Sequence, residues 1–533
     1  MLFTPGTSQS SNPNKTYQKK RPPNPKDVTD VEHWFEGDGG VVALQFGSLN
    51  EEQESGEDSE SPSTPTTPLP PSLLLRLRLT RTSGFLNERK LGHKRYSSLE
   101  PLRTSPQSTD YNDYPLPFIK HHFLQGLNKK RRNTSNTNII YWAGKLLTLW
   151  EGGLPYKIDP LGLGTSGKSQ LGAVLKSSDS FGGSSRYSIA TDTMAFYSVE
   201  QDPKKSTITV YEFDEDFKLR NGKDNIFGKA GFGGGCEQYE IDGFVIINDL
   251  CITKNYYVTT SVGVEIDGLK YNLFKDPKSS IKRLLPFSKI YLLNKMKKEV
   301  VSVEVKNDEF GDLRNFQIAN SYEDEEGRII IDGVRSHSDS GVKTRVGNVS
   351  EKKLWRYIIT NNGQLISAHP ILKDSGVCTS FTSVDKRESG IKHSAIYANL
   401  GSLGQGIGSI DVSTGLVDSW YPDSKSFCGS PTFVSTPTSS YILTILRTPT
   451  ESSLLIFKST SISSGPISTV PLNAKLPHGL HGCWTEQIWG EEEIKRTAKL
   501  YDKLESKGQM FNEVKSDFSG LGLRLDDFDE YGF

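Results

Sequence analysis

A histidine near the end of the chain, His481 in LPHGLHGCW (476–484), is the first residue whose side chain could bind a catalytic metal ion. Imidazole is the commonest protein ligand for transition metals, but a metal centre takes three or four protein ligands. The chain has nine histidines, and none of them lies in an H-E-x-x-H pattern. His481 therefore needs partners from distant parts of the sequence.

Other catalytic patterns are missing from the sequence. There is no G-x-S-x-G elbow, which excludes α/β-hydrolase chemistry. The glycines of GSLGQGIGS (401–409) lack dinucleotide-binding spacing, so they predict turns. The cysteines show no C-x-x-C pair or zinc-site spacing, which favours a reduced, intracellular protein. They are Cys236, Cys251, Cys378, Cys428 and Cys483.

Short strands are predicted over most of the chain from about residue 75. Asn362-Gly363 between apolar runs is a strong hairpin signal. The 49 glycines and the lack of long amphipathic helices indicate an all-β sandwich, barrel or propeller. A propeller is favoured because radial repetition protects strand edges. Further strand patterns occur at 138–150, 206–213, 327–335, 354–366 and 441–460.

Composition divides the chain into three parts. Residues 1–30 have no apolar signal-peptide core and predict a poorly ordered tail. Residues 31–490 hold the strands, interrupted at 50–72 by an acidic, Pro-, Ser- and Thr-rich insertion that predicts disorder. Residues 491–533 predict a helical extension, because acidic and basic residues alternate at i,i+4 spacing from Glu491.

Six stretches resemble segments of the carotenoid cleavage oxygenase family and occur in the same order as in that family. Its members are non-haem iron enzymes. The resemblance covers roughly residues 20–490 and implies a seven-bladed β-propeller with a loop and helix cap on its top face. It also implies an axial Fe(II) ion and an apolar tunnel for a carotenoid or apocarotenoid. The stretches lie at 32–46, 81–92, 146–160, 247–258, 316–335 and 465–484.

The resemblance implies four histidine ligands, of which this chain matches only one. His481 fits the fourth position, whereas Arg186, Asn248 and Gln317 occupy the other three. The string SAHP (367–370) resembles the first ligand motif, but His369 comes after the third ligand segment and is rejected on order. Amides bind Fe(II) weakly, and a guanidinium adds a positive charge beside the ion. We therefore expect Fe(II) to be absent or weakly bound.

The carboxylates that orient the histidines in the family are also only partly retained. Glu151 in WEGG matches one of them, whereas Ser380 stands where the family has a glutamate. Without the orienting carboxylates, a neutral imidazole is not held in the geometry that a metal requires. The resemblance thus indicates a divergent member with a degenerate iron site.

Three functions remain open at this stage. The first is metal-independent isomerase or lyase chemistry on a carotenoid or apocarotenoid, with Arg186, Asp249 and Glu151 as acid, base or charge stabiliser. The second is a non-catalytic carotenoid-binding or regulatory protein. The third is an ordinary Fe(II)-dependent cleavage dioxygenase.

Charge and hydropathy restrict the partners. The formal net charge of −1, from 63 basic and 64 acidic residues, excludes nucleic acid as a main partner. Residues 281–298 mix apolar with basic side chains and predict either peripheral membrane contact or a buried strand with snorkelling lysines. No apolar run is long enough to span a membrane. Cytoplasm and plastid both remain open as the location.

Overall fold

The structure of the chain is a computed structural model that is all-β with few helices. The acidic insertion at 50–72 and most of both terminal segments lie outside the described residues. The structure describes residues 2–8, 37–47, 73–91, 133–171, 174–175, 181–220, 236–274, 280–307, 312–336, 343–344, 347–348, 352–372, 379–401, 404–477 and 479–506.

Within these ranges the strands form seven antiparallel sheets of four or five strands each. Sheet 1 has β1 (Leu2–Ser8), β2 (Asp38–Phe46), β3 (Leu73–Leu79) and β31 (Cys483–Trp484); sheet 2 has β4 (Asn138–Trp142), β5 (Lys145–Leu149), β6 (Tyr156–Ile158) and β7 (Thr165–Lys168). Sheet 3 has β8 (Arg186–Ser188), β9 (Thr193–Glu200), β10 (Lys205–Phe213) and β11 (Glu237–Asp242); sheet 4 has β12 (Ile247–Ile252), β13 (Tyr256–Ile266), β14 (Ile281–Asn294) and β15 (Val300–Lys306).

The remaining strands belong to sheets 5 to 7 and to a short two-stranded ribbon. Sheet 5 has β16 (Asp312–Glu323), β17 (Ile329–Ser336), β20 (Lys352–Ile359) and β21 (Leu365–Pro370), and the ribbon has β18 (Lys343–Thr344) and β19 (Gly347–Asn348). Sheet 6 has β22 (Thr379–Ser383), β23 (Ala395–Leu400), β24 (Gly406–Asp411) and β25 (Val417–Trp420); sheet 7 has β26 (Phe427–Cys428), β27 (Thr432–Ser435), β28 (Ser440–Arg447), β29 (Ser452–Lys458) and β30 (Ser468–Pro471).

Local sequence explains the hairpins within the sheets. Ala143 and Gly144, which join β4 to β5, both have positive φ (48° and 74°), as a tight two-residue turn requires. The predicted Asn362-Gly363 turn joins β20 to β21, and Gly363 takes a φ of 88° that glycine adopts without strain. The strands predicted at 138–150, 354–366 and 441–460 are all present and pair as hairpins.

The hydrophobic core is divided among the interfaces between neighbouring sheets. Ile331 of sheet 5 and Val258 of sheet 4, for example, meet in one cluster. Corresponding clusters join sheets 3 and 4, 2 and 3, 1 and 2, 5 and 6, and 6 and 7. Another cluster joins sheet 7 back to sheet 1 through Val42 and Leu443. This succession is a β-propeller arrangement, which confirms the all-β propeller prediction.

Sheet 1 combines strands from both ends of the sequence. Leu2 pairs with Leu44 of β2 on one side and with Trp484 of β31 on the other. Residues 2–8 of the expected poorly ordered tail therefore form a strand, because β2 and β31 each present an edge that β1 satisfies with backbone hydrogen bonds. The rest of the 1–30 segment lies outside the described residues.

Three α-helices accompany the described strands: α1 (Ser83–Leu91), α2 (Gly268–Phe274) and α3 (Glu491–Ser506). Helix α3 lies where the C-terminal helical extension was expected. It packs on sheets 1 and 2, with Ile494 buried and Arg78 of β3 paired to Asp502 at 2.8 Å. None of the helices in the described ranges is long and apolar enough to cross a membrane.

Candidate functional site

The candidate site lies where strands β8, β12 and β16 meet. Each of them is an edge strand of its own sheet, and β12 contacts both β8 and β16. Arg186 is the first residue of β8, Asn248 lies on β12 and Gln317 lies on β16. The structure thus brings together three of the four positions that were predicted to carry metal ligands.

Arg186 is bound to both neighbouring strands. Its Nη2 lies 2.9 Å from Asp249 Oδ2 and also donates to the carbonyl oxygen of Ile318, while Nε donates to Leu250 O at 3.2 Å. Burial is the largest effect and lowers the pKa of Arg186, but the charge and hydrogen bond of Asp249 together with Cys251 and Tyr197 outweigh it, so the pKa is raised. The guanidinium is therefore a permanent cation in a fixed place.

Asp249 uses both of its carboxylate oxygens for hydrogen bonds within the scaffold. Oδ1 accepts from Ser184 Oγ and from the Leu250 N–H, and Oδ2 accepts from Arg186 and from the Ile318 N–H at 2.8 Å. Its side chain is only 7% exposed, against 24% for Arg186. Asp249 consequently crosslinks β8, β12 and β16, and it positions the arginine.

His481 is a neutral imidazole at pH 7. It lies two residues before β31, and its ring packs edge-on against Phe381 with centroids 5.8 Å apart. Burial lowers the pKa of His481 to about 4, with a smaller opposing effect of Asp249 and a further lowering by Arg186. The charges of Asp249 and Arg186 thus both act on the residue at the fourth predicted position.

Glu151 lies near the same charges and has few hydrogen bonds of its own. Thr137 Oγ1 donates to Glu151 Oε2 at 2.9 Å. Burial raises the pKa of Glu151, although Glu151 is accessible to solvent. Glu151 and Asp249 also both contribute to raising the pKa of Tyr197, after burial.

The residues at the four positions do not fit an iron centre. They offer one imidazole, two amides and a guanidinium, and Fe(II) prefers imidazole and carboxylate ligands. Nowhere in the described ranges do three or more His, Cys, Asp or Glu side chains form a group that could hold a metal. His369 lies exposed on β21, the strand of sheet 5 farthest from β16, in keeping with its rejection as a ligand.

A buried polar cluster between sheets 5 and 6 was missed at the sequence level. Asp332 on β17 accepts two hydrogen bonds from Arg356, at 2.8 and 2.6 Å, and lies 3.0 Å from His393 Nε2. Asn320 lies 3.1 Å from His393 Nδ1. The polar sequence around His393 indicates a solvated residue, yet its side chain is fully buried. Local polarity misled here because the partners of His393, Asp332 and Asn320, are 61 and 73 residues away.

Further residues of the family-like stretches join neighbouring sheets. Glu323 accepts hydrogen bonds from Thr253 Oγ1, at 2.6 Å, and from the Asn255 backbone and side-chain N–H groups, both at 2.7 Å. Asn320 accepts from the Gly390 N–H at 3.0 Å and donates to two carbonyls in the same loop. These motif residues hold sheets 4, 5 and 6 together, so their presence speaks for the fold and not for a reaction.

Comparisons with known proteins agree with this architecture. A family model described as RPE65, retinal pigment epithelial membrane protein, matches residues 16–486. The apocarotenoid-15,15'-oxygenase of Synechocystis sp. is 24% identical over 487 residues, covering 86% of this chain and 87% of that protein. Isoeugenol monooxygenase of Pseudomonas nitroreducens is 23% identical over 424 residues, covering 70% and 78%.

A solved structure supports the fold. A variant of Synechocystis apocarotenoid oxygenase superposes with a TM-score of 0.68 at 21% identity, covering 91% of this chain and 92% of that chain. At this level of identity, the likeness between the structures shows the shared fold alone.

Proposed function

The chain belongs to the RPE65 and carotenoid oxygenase family, and from that premise we propose that it binds a carotenoid or apocarotenoid at the propeller axis and transforms it without a four-histidine iron centre. The observation that supports this proposal is the Arg186–Asp249 pair. The guanidinium of Arg186 stands at the first ligand position. Its partner Asp249 accepts four hydrogen bonds, one of them from Arg186, and these keep the carboxylate in place.

The electrostatics of the site disfavour a divalent cation. Arg186 adds a permanent positive charge close to His481, and Asp249, the nearest negative charge, is already neutralised by the arginine. Asn248 and Gln317 provide only neutral amide oxygens, which are weak ligands for Fe(II). Binding iron here would require Arg186 to give up its hydrogen bonds and leave Asp249 uncompensated.

The chemistry that this site supports best is proton transfer on a conjugated carbonyl compound such as an apocarotenal. No described residue accepts a hydrogen bond from Nη1 of Arg186, so this nitrogen can donate to a ligand carbonyl oxygen. A positive charge there stabilises the dienolate that forms when a proton leaves a carbon conjugated to the carbonyl.

Glu151 is the residue that we propose to move the proton. Its raised pKa makes it a stronger base when ionised and keeps a protonated fraction at higher pH. It would take a proton from one carbon of the polyene and return it to another, giving a double-bond isomer with no net change in atoms or electrons. Asp249 is unsuited to this role because its lone pairs are already used, so it acts as a positioning residue.

A second function, carotenoid binding without chemistry, is favoured by the same hydrogen bonds. Arg186 donates to three acceptors that all belong to the protein, which is what a structural cation does. An apolar tunnel can persist for binding after a metal site is lost. The two functions differ in a single observable, namely whether a bound polyene is released in a changed form.

We further propose one blade for each of the seven sheets, with a loop and helix cap over the ligand entrance. Support comes from the seven interfacial clusters, which include one between sheet 7 and sheet 1. The ligand would enter from a membrane surface. Leu269 and Leu273 on α2 and Leu284 on β14, here called the α2 patch, are 75%, 43% and 40% exposed.

The α2 patch refines the membrane contact predicted for residues 281–298. The segment is mostly strand β14, and its later half, including Ile290 and Leu292, is buried in the core of sheet 4. Only the earlier half of β14, which includes the basic residues Lys282 and Arg283, remains available for membrane contact. Exposed leucines flanked by basic side chains are what an interfacial membrane contact requires.

Iron content and product analysis together test the proposal. The purified protein is reconstituted anaerobically with Fe(II), with His481→Ala as the control, and iron per chain is measured. We expect neither protein to retain stoichiometric iron. The protein is then incubated with an apocarotenal, and an isomer that Glu151→Gln fails to form would support the enzyme. Near-stoichiometric iron that is lost in the His481→Ala variant would instead support an ordinary Fe(II)-dependent dioxygenase. A polyene that is bound but released unchanged would support the non-catalytic binding protein.

A further inference from the structure

A second arginine near His481 is Arg447, a partly buried residue at the end of β28 that lines the same cavity as the histidine. Its Nε donates to Pro477 O at 2.8 Å and its Nη1 donates to Ile445 O at 3.2 Å. Gly429 permits this position, because a Cβ at that residue would lie 2.8 Å from Nη1. Two backbone carbonyl oxygens therefore hold the guanidinium.

Arg447 differs from Arg186 in having no acidic partner among the described residues. The described side chain that acts on its charge is the buried thiol of Cys428, and no carboxylate pairs with it. No described residue accepts a hydrogen bond from its Nη2. Burying an ionised group is costly unless an opposite charge accompanies it.

A small cavity separates Arg447 from His481. It is lined by both of these residues and by the hydroxyl-bearing Ser430, Thr432 and Thr444. The lining thus provides a guanidinium, an imidazole and the hydroxyl groups of Ser430 and Thr432, whereas the Thr444 hydroxyl donates to Gly429 O. No acidic side chain lines the cavity.

We propose that the cavity between Arg447 and His481 binds a small carboxylate anion, or the carboxylate end of a longer ligand. A carboxylate accepts hydrogen bonds from a guanidinium, an imidazole N–H and hydroxyl groups at once, and all three kinds of group line this space. It also supplies the negative charge that Arg447 lacks. Burial lowers the pKa of Arg447 to about 10, which is the expected result for a guanidinium without a carboxylate.

The first test uses acetate as the probe and thermal unfolding of the full chain as the readout. Sodium acetate is titrated against sodium chloride at constant ionic strength. We expect a saturable rise of Tm in the unsubstituted protein, because a ligand that binds only the folded state stabilises it. Arg447→Met should show no such rise. An equal rise in both proteins, or no saturable rise in either, would overturn the site.

A second pair of variants guards against misfolding of Arg447→Met. Ser430→Glu places a carboxylate inside the cavity, and Ser430→Gln is its neutral match in size. We expect Ser430→Glu to have the higher Tm of the two and to be insensitive to acetate, because its own side chain occupies the site. If Ser430→Glu is less stable than Ser430→Gln, the cavity does not favour a negative charge and the inference is wrong.

A third experiment asks whether the bound carboxylate belongs to a polyene or to a free small acid. It compares two polyenes of equal length, an apocarotenoic acid and the corresponding alcohol. Affinity is measured by quenching of tryptophan fluorescence. An acid that binds about tenfold more tightly than the alcohol, with the preference lost in Arg447→Met, identifies the ligand's own carboxylate. Equal affinities combined with a specific acetate effect identify a free small acid. The acetate experiment does not depend on the proposed function, so failure of both polyenes to bind leaves it intact.

Discussion

Arg186 and Asp249, 2.9 Å apart, join the edge strands of two neighbouring sheets at the point where the family resemblance calls for a metal. The carboxylate also accepts the backbone N–H of Ile318 in a third sheet. A single ion pair thereby connects sheets 3, 4 and 5. In this chain the Arg186–Asp249 pair therefore joins the sheets at the place where the family resemblance implies a metal ion.

Removing the arginine of this pair should be costly. Arg186→Met leaves Asp249 buried without its counter-charge, and we expect a loss of about 3–5 kcal/mol in the free energy of unfolding. The double variant Arg186→Met, Asp249→Asn should recover part of that loss, because the uncompensated charge is gone. Denaturant unfolding of the four proteins measures the coupling between the two positions.

Arg220→Met is the matched control for this experiment. Arg220 is 53% exposed and lies 3.8 Å from Asp214, so its loss should cost less than about 1 kcal/mol. Similar losses for Arg186→Met and Arg220→Met would mean that the axial pair contributes no more than a surface ion pair.

Asp332 should give the fold part of its sensitivity to acid. Burial favours the neutral carboxyl, but hydrogen bonds from Arg356 and His393 outweigh it and lower the pKa of Asp332 below its usual 3.8. As the pH falls, the unfolded state therefore takes up a proton on Asp332 before the folded state does. The contribution of Asp332 to the free energy of unfolding is complete above the pKa of the unfolded state. It is lost as the pH falls through the pKa of the folded state.

Asp332→Asn separates this effect from general acid unfolding. We expect it to lose about 3–5 kcal/mol at pH 7, because Arg356 is left without its partner, and to lose less further stability than the unsubstituted protein between pH 7 and pH 3. Unfolding free energies at the two pH values measure both effects. Parallel losses in the two proteins would exclude Asp332 as a source of the acid sensitivity.

Glu323 should be important for stability and not for ligand chemistry. Glu323→Ala leaves Thr253 and Asn255 without their acceptor, at a cost of about 2–4 kcal/mol. Its neighbour Glu325 is exposed, so Glu325→Ala should change the free energy of unfolding by less than about 0.5 kcal/mol. Polyene affinity measured below the unfolding transition should be the same in both variants, and a selective loss in Glu323→Ala would give this residue a role in the site.

The sequence predicted the hairpins and the class of fold because those signals are local. Asn362-Gly363 lies between apolar runs and forms the expected turn, and Ala143-Gly144 forms a similar turn between β4 and β5. Long-range pairings left no such signal. The sequence around Arg186 does not predict that Asp249 is its partner, and the polar sequence around His393 predicts exposure although the side chain is buried. Strand β1 was missed because Pro5 and Gly6 weaken any local strand pattern, and its partners are distant in sequence.

The α2 patch should bind membranes through its leucines. Replacing Leu269, Leu273 and Leu284 by Ser removes exposed apolar surface without touching the buried half of β14. We expect this variant to lose most of its co-sedimentation with vesicles that contain anionic lipids, because apolar burial and basic residues act together there.

Leu416→Ser with Ile467→Ser serves as the control for the membrane experiment. These two side chains are 62% and 54% exposed but lie on sheets 6 and 7, away from the patch. The control should sediment like the unsubstituted protein. Unchanged sedimentation of the patch variant, or an equal loss in both, would remove the α2 patch as a membrane contact.

The pairing of Leu2 with Trp484 has a consequence for the synthesis of the protein. Sheet 1 cannot be completed until Trp484 has emerged from the ribosome, roughly 25–100 s after Leu2 at ordinary elongation rates. During that interval β1 exposes an unpaired edge of the kind that recruits foreign strands. The nascent chain therefore depends on chaperones or on rapid translation more than the finished ring does.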